Sequence, residues 1–241
     1  MKAIVTGHSR GLGAAIAEEL LARGIPVLGL ARQDNATLAA RHPGRLIQCA
    51  LDLGDSAALA HWLERSTLRH YLDECETVLL VNNAGTLQPI GSLAAQAPEA
   101  IARAVALNVA APLMLAAATL VASPGATERR ILHVSSGAAH SAYAGWSVYC
   151  ATKAALDQHA RAVALDATPG VKICSLAPGV IDTDMQAEIR ASTESDFPLR
   201  PRFEALKRDG ALLRPEACAH RLVNYLLGTE FGNQPVADLR D

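Results

Sequence analysis

The chain has no excess of charge of either sign. Its 241 residues include 22 Lys and Arg and 24 Asp and Glu, which gives a formal net charge of -2. The basic residues are scattered along the chain and form no stripe. Proteins that bind nucleic acid or an anionic membrane present clustered basic residues, so neither partner is predicted and a small molecule is favoured.

Paired cysteine motifs are absent as well. The five cysteines are odd in number and widely spaced, with no Cys-x-x-Cys, so the sequence indicates neither a disulfide framework nor a zinc site. The eight histidines show no metal-ligand spacing, and His133 lies in a predicted strand, where a core role is expected. Residues 1–6 are too few for the core of a signal peptide. We therefore expect no metal and a cytoplasmic location.

Two further absences bear on chemistry and on domain organisation. No Gly-x-Ser-x-Gly turn occurs, which disfavours a Ser-His-Asp hydrolase. No internal repeat or Pro/Gly-rich linker divides the chain, so residues 1–241 are predicted to form one large α/β domain. Within it, the polar, proline-bearing stretch at about 184–209 is a candidate substrate lid, with a plain surface excursion as the alternative.

One uncharged segment raises the question of a membrane span. Residues 104–122 comprise nineteen residues without a charged side chain, close to the roughly 20 that cross a bilayer. Asn108 and Pro112 interrupt the segment, and alanine supplies much of its apolar character. We therefore predict a buried helix rather than a membrane span.

Short β-rich runs alternate with helical patterns along the chain. The predicted strands cover residues 2–6, 26–31, 46–51, 77–81, 130–135 and 171–176, and the helical patterns cover 14–23, 56–71, 98–121 and 149–166. Such alternation predicts a parallel sheet with helices on both faces. Right-handed crossovers make that sheet doubly wound.

The first strand leads into the glycine-rich turn TGHSRGLG, which opens the first helix. Gly7, Gly11 and Gly13 would let the backbone approach a pyrophosphate, and the free N–H groups at the helix start would favour its negative charge. Strand, glycine turn and helix in this order predict a Rossmann-type dinucleotide site.

The second predicted strand ends at Ala31-Arg32. In dinucleotide-binding folds, the residue type near this point distinguishes NAD(H) from NADP(H). An acidic residue near this point would bind the ribose 2′-hydroxyl of NAD(H), whereas an arginine accommodates the 2′-phosphate of NADP(H). Arg32, with Arg10 in the glycine turn as a second clamp, therefore predicts NADP(H). A solvated loop charge is the alternative interpretation of Arg32.

A Tyr-x-x-x-Lys pair, Tyr149 and Lys153, follows the fifth predicted strand. Residues four apart share a helix face, so the hydroxyl and the ammonium can point into one cleft. A free tyrosine has a pKa of roughly 10, and a neighbouring ammonium is expected to lower it. Ser136, thirteen positions before the tyrosine, is expected to hydrogen-bond a substrate oxygen. A pair on a solvated helix surface is the alternative.

Together these motifs resemble the single-domain short-chain dehydrogenase/reductase family. The resemblance covers nearly the whole chain and rests on TGHSRGLG, Asp52, NNAG at 82–85, Asn108, Ser136, Tyr149-x-x-x-Lys153 and Pro178-Gly179 with Thr183, in the family's order and spacing. It implies hydride transfer between a nicotinamide and a carbonyl carbon, while the protein supplies orientation and the proton.

The resemblance implies roles for individual residues. Asn108, Ser136, Tyr149 and Lys153 would form a catalytic tetrad, in which Tyr149 donates the proton during carbonyl reduction and Ser136 holds the carbonyl oxygen. Lys153 would bind the nicotinamide ribose and lower the tyrosine pKa. Asn108 would hold a water in the proton relay.

The resemblance also implies the cofactor contacts. Asp52 would contact adenine, Asn83 would line the cleft, and Thr183 would bind the carboxamide. The other implied cofactor-binding residues are Gly7, Ser9, Arg10, Gly11, Leu12, Gly13, Arg32, Leu53, Ala84, Gly85, Pro178, Gly179 and Val180, together with Tyr149 and Lys153.

A narrower resemblance concerns the last part of the chain. The runs PGVIDTDMQAEIR, RFEALKRDGALL and VADLRD, with Gly145-Trp146, are similar to the sepiapterin-reductase-like branch and, within it, to bacterial benzil reductases that form (S)-benzoin. In that branch an Asp near the C-terminus anchors the pterin, and Asp238 stands at the matching position. An ordinary solvated carboxylate is the alternative for Asp238.

Aromatic residues are scarce, at 4% of the chain, yet several fall near the expected pocket. Tyr143, Trp146, Phe197 and Phe203 lie in segments expected to border it, and Met185 is a further expected substrate contact. Aromatic walls favour flat, apolar carbonyl compounds. Packing of Tyr143 and Trp146 against the fold or a partner subunit is the alternative.

These observations predict an NADPH-dependent carbonyl reductase acting on an aromatic or dicarbonyl ketone, such as a benzil-like diketone or a pterin-like carbonyl. Two alternatives stay open: a general short-chain alcohol dehydrogenase with other substrates, and a non-enzymatic NADP(H)-sensing protein on the same fold. Alanine-rich helix faces after residue 98 and at 149–166 predict a homodimer, with a homotetramer as the alternative.

Overall fold

Seven parallel strands form one sheet in the computed structural model, which describes residues 1–241. The strands are β1 (Lys2–Thr6), β2 (Val27–Ala31), β3 (Leu46–Ala50), β4 (Thr77–Asn82), β5 (Glu128–Val134), β6 (Val171–Ala177) and β7 (Val236–Asp238), in the spatial order β3-β2-β1-β4-β5-β6-β7. All six pairings between neighbours are parallel. The predicted parallel sheet is confirmed, and its first six strands match the predicted ones to within two residues.

Ten α-helices connect and cover the strands. They are α1 (Gly11–Ala22), α2 (Ala36–Arg41), α3 (Ser56–Leu63), α4 (Thr67–Leu72), α5 (Pro98–Val105), α6 (Ala111–Ala122), α7 (Ser147–Leu165), α8 (Asp184–Ala191), α9 (Arg200–Arg208) and α10 (Pro215–Leu227). Helices α1 and α10 pack on one face of the sheet, and α3, α4 and α6 cover the other. The predicted doubly wound arrangement is therefore confirmed.

Alternation along each strand divides the core into two layers. Val5 of β1 is buried with Leu20 of α1 and Leu222 of α10, whereas Ile4 is buried with Leu115 of α6 on the opposite face. Successive residues of a strand point to opposite faces, so a strand buried on both faces must be apolar at nearly every position. This is why the central strands β1, β2 and β4 are apolar at nearly every interior position.

The strand order reverses beside β1. Strands β1, β2 and β3 extend in one direction and β4, β5 and β6 in the other, so the loops that follow β1 and β4 diverge. In doubly wound sheets, ligands bind in the crevice that opens at the carboxyl ends of the strands at this point. The chain's motifs lie in these loops.

The helix predicted at 56–71 is in fact two helices, α3 and α4. Trp62 and Leu68 are both buried, yet residues six apart lie on different faces of one continuous helix. The break between residue 63 and residue 67 lets both side chains enter the same core. Asp55 caps the start of α3 by accepting hydrogen bonds from two backbone N–H groups.

The long helix predicted at 98–121 is continuous but contains a π-helical segment, Ala106–Ala110, between α5 and α6. Pro112 in the first turn of α6 has no N–H to donate to the preceding turn, and local widening of a helix relieves such a defect. Asn108 lies in the middle of this segment. A change of helix geometry therefore coincides with a residue of the implied tetrad.

The stretch Pro98–Ala122 is the one helical run long and apolar enough to cross a membrane by length and composition. Its face bearing Leu115 and Ala116 is buried in the core beneath the sheet, as predicted for a packed helix. Other positions of the run are open to solvent, including Val121, which is 80% exposed.

The predicted lid region, residues 184–209, comprises α8, α9 and the connection between them. Ile189 of α8 and Phe203 of α9 are buried in a small apolar cluster separate from the two main cores. The role of this region as a lid stays a prediction.

Candidate active site

A single large cavity of about 1270 Å³ opens at the carboxyl ends of the strands. It extends from the glycine turn after β1, across the loops after β4 and β5, to the helices α8 and α9. All sequence-predicted site residues line it except Asn108 and Asp238: these are Gly7, Ser9, Arg10, Gly11, Leu12, Gly13, Arg32, Asp52, Leu53, Asn83, Ala84, Gly85, Ser136, Tyr143, Trp146, Tyr149, Lys153, Pro178, Gly179, Val180, Thr183 and Met185.

The glycine turn forms a close-packed cradle at one end of the cavity. Gly7 and Gly11 have φ angles of +71° and +57°, in the left-handed region that glycine adopts without strain. A Cβ on Gly13 would collide with the carbonyl oxygen of Gly7. Helix α1 begins without a side-chain cap, so its first N–H groups are left for a ligand. The turn therefore fits the pyrophosphate of a dinucleotide.

Thr6 joins this cradle to the NNAG segment after β4. Its hydroxyl oxygen accepts hydrogen bonds of 2.9 Å from the backbone N–H groups of Asn83 and Ala84. The Asn83 side chain in turn donates to the Thr6 carbonyl at 3.0 Å. These bonds hold the two diverging loops at a set distance and so define the width of the crevice.

The loop after β2 carries Arg32 at the mouth of the cavity. Its guanidinium is exposed and has no carboxylate partner. The second expected clamp, Arg10, is ion-paired with Asp184 at 3.3 Å, and both side chains are largely exposed. Asp52, expected at the adenine, accepts a hydrogen bond of 2.7 Å from Arg103.

A partly buried polar network, which sequence reasoning missed, supports this loop. His8 lies against Gly29, where a Cβ would come within 2.5 Å of the imidazole. The His8 Nε2 atom is 2.8 Å from Gln48 Oε1, which also accepts the backbone N–H of Asn35 at 2.6 Å. Asn35 then donates to the carbonyl of Ser9 at 3.2 Å. The network ties the glycine turn to the loop that carries Arg32.

Helix α7 brings Tyr149 and Lys153 to the centre of the cavity. They lie one turn apart on its buried face, and the Lys153 Nζ atom is 5.7 Å from the centroid of the Tyr149 ring. Lys153 donates a hydrogen bond of 2.7 Å to the carbonyl of Val134 at the end of β5. Ser136 follows that strand and lies beside the tyrosine. The structure thus brings Ser136, Tyr149 and Lys153 together.

The pKa of Tyr149 is raised, whereas a lowered pKa was expected. Burial raises the pKa of Tyr149 to about 12, and the Ser136 side chain only partly opposes the shift. Burial lowers the pKa of Lys153 to about 8, with the Asp157 charge opposing. The predicted lowering of the tyrosine pKa by the ammonium is wrong for this state, because desolvation of the phenolate outweighs other influences. Tyr149 is therefore protonated at neutral pH.

Asn108 is buried behind the cavity rather than exposed to it. Its amide accepts from the Thr86 N–H and donates to the Thr86 carbonyl, both at 2.9 Å, and also donates to the Thr152 hydroxyl at 3.1 Å. The side chain therefore fixes the loop after β4 against α7. The expected contact between Asn108 and a water stays a prediction.

Asp157 is a further residue of the site that sequence reasoning missed. Its buried carboxylate accepts hydrogen bonds from Ser135 at 2.7 Å and Ser175 at 2.6 Å, and its second oxygen is 3.1 Å from His140 Nε2. A carboxylate one helical turn after Lys153, on the same face, was the signal that could have found it.

The substrate end of the cavity has an aromatic wall built around Trp146. The indole stacks on Phe197 at 4.4 Å and lies 5.3 Å from Tyr149, with Tyr143 and Phe203 each at 5.5 Å. Phe197 is fully buried behind Trp146, whereas Tyr143, Trp146 and Phe203 line the cavity. The expected aromatic border is therefore present in the structure, with Phe197 as its backing.

Asp238 is placed differently from the expectation. It ends β7, and its carboxylate accepts hydrogen bonds of 2.9 Å and 2.5 Å from the Arg240 guanidinium. Arg240 lines the cavity and Asp238 does not. The bidentate pair compensates the charge of Asp238, and a role of Asp238 as a substrate anchor stays a prediction.

Comparison with known proteins places this site among related enzymes. The family model of short chain dehydrogenases matches residues 1–194. The chain is 35% identical to the (S)-benzoin-forming benzil reductase of Bacillus cereus over 235 residues, which span 95% of this chain and 94% of that protein. It is 36% identical to the sepiapterin reductase of Meriones unguiculatus over 253 residues, or 99% of this chain and 95% of that protein.

A solved structure is more similar in sequence. The crystal structure of a short-chain dehydrogenase/reductase from Burkholderia vietnamiensis is 52% identical, with a TM-score of 0.73, and the match spans 100% of this chain and 97% of the other. The similarity therefore includes the C-terminal helices and β7 as well as residues 1–194.

Proposed function

The chain belongs to the short-chain dehydrogenase/reductase family and is an oxidoreductase acting on carbonyl or alcohol groups, and on this premise we propose that it is an NADPH-dependent reductase of aromatic or dicarbonyl ketones. One observation carries the proposal: Ser136, Tyr149 and Lys153 converge between a glycine cradle and an aromatic wall in a single cavity. The cradle would hold the cofactor and the wall would hold the substrate.

Tyr149 would donate the proton to the carbonyl oxygen. Its pKa of about 12 keeps the hydroxyl protonated at neutral pH, which is the state a proton donor needs. Ser136, on the adjacent loop, would hold the same oxygen and align it with the tyrosine. The bound nicotinamide would supply the hydride to the carbonyl carbon.

Lys153 would stabilise the phenolate that remains after proton transfer. An ammonium held 5.7 Å from the ring centroid favours negative charge on the tyrosine oxygen in a buried, low-dielectric site. The Val134 carbonyl fixes the position of this ammonium. Lys153 would therefore stabilise the Tyr149 phenolate that forms on proton transfer. Before the transfer, burial determines the pKa of Tyr149.

The exposed, unpaired Arg32 supports NADP(H) as the cofactor. A guanidinium binds a phosphate with charge-assisted, bidentate hydrogen bonds, and the His8–Gln48–Asn35 network holds the loop that presents it. Arg10 would join Arg32 only after leaving Asp184, because it is ion-paired in this structure.

We further propose a homodimer, with a tetramer as the alternative, in the cytoplasm. Val121 at the end of α6 and Leu165 at the end of α7 are 80% and 86% exposed, so both helices present apolar positions to solvent. Covering these positions with a second copy would remove apolar surface from water. Light scattering of the purified protein measures the assembly directly.

Initial rates of NADPH oxidation with benzil, with sepiapterin and with a simple aliphatic ketone, each repeated with NADH, test the proposal. Rapid, NADPH-selective reduction of benzil is expected. Rapid reduction of sepiapterin alone would favour a pterin-like carbonyl as the substrate and Asp238 as its anchor. Reaction with the aliphatic ketone alone would contradict the aromatic substrate class, and NADPH binding without any turnover would favour a sensor.

A further inference from the structure

Resting on the proposed reductase activity, we propose that Arg202 binds an anionic group of the substrate. The preferred substrate class is then an aromatic ketone that carries a carboxylate, sulfonate or phosphate on the side remote from the reacting carbonyl. Arg202 lies on α9 and lines the cavity at its substrate end.

The cavity is cationic although the chain as a whole is acidic. Its lining contains five arginines and Lys153, against only three carboxylates, Asp52, Asp184 and Glu188, whereas the chain carries a net charge of -2. A concave site with an excess of one charge concentrates ligands of the opposite charge. The ligands of this cavity are therefore expected to be anionic.

Three of the five arginines are already neutralised. Arg10 pairs with Asp184 at 3.3 Å, Arg103 with Asp52 at 2.7 Å, and Arg240 with Asp238 at 2.5 Å. The two remaining guanidiniums, those of Arg32 and Arg202, have no carboxylate partner.

The two unpaired arginines lie at opposite ends of the cavity. Arg32 follows β2 beside the glycine turn, where the cofactor phosphate is expected. Arg202 directly precedes Phe203, whose ring is 5.5 Å from Trp146, and Trp146 is 5.3 Å from Tyr149. An aromatic substrate with its carbonyl at Tyr149 would therefore extend along this wall toward Arg202.

No acidic group on the substrate side forms an ion pair with Arg202. Glu188 accepts a hydrogen bond of 2.6 Å from Gln88, and Asp182 pairs with Lys207. Asp238 is held by Arg240. A guanidinium that lines the cavity beside an apolar wall and forms no ion pair within the chain is suited to a substrate anion.

A matched pair of substrates tests the inference: 4-carboxybenzil, which is anionic, and its neutral methyl ester. We expect the wild-type protein to prefer the acid in kcat/KM. Arg202→Gln should lower the acid-to-ester ratio by about two- to fivefold, the range typical of a single ion pair at an exposed site. Arg208→Gln, on the same helix but paired with Asp209 and outside the cavity, should leave the ratio unchanged.

Binding measured by quenching of tryptophan fluorescence separates this inference from the proposed activity. Tighter binding of the acid than of the ester, lost in Arg202→Gln, supports the inference even if neither compound is reduced, an outcome that would contradict only the reductase activity. An equal loss for acid and ester in Arg202→Gln, or no preference in the wild type, would overturn it. Raising the ionic strength should narrow the wild-type preference, because salt screens an exposed charge.

Discussion

The Asp157 carboxylate accepts a hydrogen bond of 2.7 Å from the hydroxyl of Ser135, the residue immediately before Ser136. The same oxygen accepts from Ser175 on the neighbouring strand at 2.6 Å. Helix α7, which carries Tyr149, is thereby fastened to the ends of β5 and β6. The positions of the reacting groups depend on this buried carboxylate.

Asp157→Asn should destabilise the protein by about 2 kcal/mol, since hydrogen bonds to a buried charged group contribute about 1.5–3 kcal/mol each. For a chain of this size the melting temperature should fall by about 4–8 °C. Differential scanning calorimetry measures both quantities. Asp166→Asn at the exposed end of α7 is the control and should change little; an equally stable Asp157→Asn protein would refute the fastening role.

The same substitution should alter the pH dependence of turnover. Burial lowers the pKa of Lys153, and the Asp157 charge opposes that shift. Removing the charge should lower the lysine pKa further, so that the ammonium is lost at lower pH. The alkaline limb of the kcat profile should move to lower pH in Asp157→Asn, and an unmoved limb would exclude an influence of Asp157 on Lys153.

Tyr149→Phe should abolish proton donation while leaving cofactor binding nearly intact. General acid catalysis contributes about 10²–10⁴-fold, and kcat for ketone reduction should fall by that factor. NADPH affinity, measured by fluorescence titration, should change little. Tyr225→Phe, whose hydroxyl contacts Cys174 far from the cavity, is the matched control. Near-normal turnover by Tyr149→Phe would remove the tyrosine from its proposed role.

Arg32→Asp should weaken NADPH binding by about 10–100-fold, because it replaces a charge-assisted phosphate contact with a like charge. The affinity for NADH, which has no 2′-phosphate, should change far less. Isothermal titration of both cofactors measures the difference. Arg65→Asp, exposed and outside the cavity, is the control. Equal losses for the two cofactors would show that Arg32 is not the phosphate contact.

Sequence patterns predicted the parts of the fold that are set by local chemistry. The apolar strands and the glycine turn are short-range features, so their positions follow from residue type. The helix α10 could have been found too, because Pro215 stands in its first turn and Leu222, Val223 and Leu226 repeat at helical spacing. Strand β7 could not, since three residues pair only through contacts with β6.

Within the site, Asp238 and Tyr149 differ from the expectation because of how the folded chain surrounds them. Asp238 carried a role implied by resemblance, but its engagement by Arg240 depends on how the C-terminal segment turns at the end of β7. The raised pKa of Tyr149 follows from burial in the apolar cluster that contains Trp146 and Phe203. Neither pairing nor burial can be read from a five-residue motif.

Acid should destabilise the protein through His133, which is completely buried. Asn82 Nδ2, which also faces the Pro112 carbonyl, is 3.1 Å from His133 Nδ1. His133 Nδ1 therefore accepts a hydrogen bond from Asn82, and the His133 Nε2–H is directed at His159 Nδ1, 3.1 Å away. Burial, with the nearby His159 and Lys153 charges, lowers the pKa of His133 from 6.5 to about 3.

The sign of the effect follows from these two pKa values. In the unfolded chain His133 takes up a proton as the pH falls below 6.5, whereas the folded protein resists protonation down to about pH 3. The unfolded state thus binds more protons in this window, and stability must fall as the pH falls through it. Urea denaturation at a series of pH values between 7 and 4 measures how steeply the free energy of unfolding changes with pH.

The His133→Gln protein should be less stable at pH 7 but its free energy of unfolding should depend less steeply on pH. His70→Gln, at an exposed position, should retain the wild-type pH dependence. Parallel slopes for wild type and His133→Gln would show that the carboxylates alone govern acid unfolding.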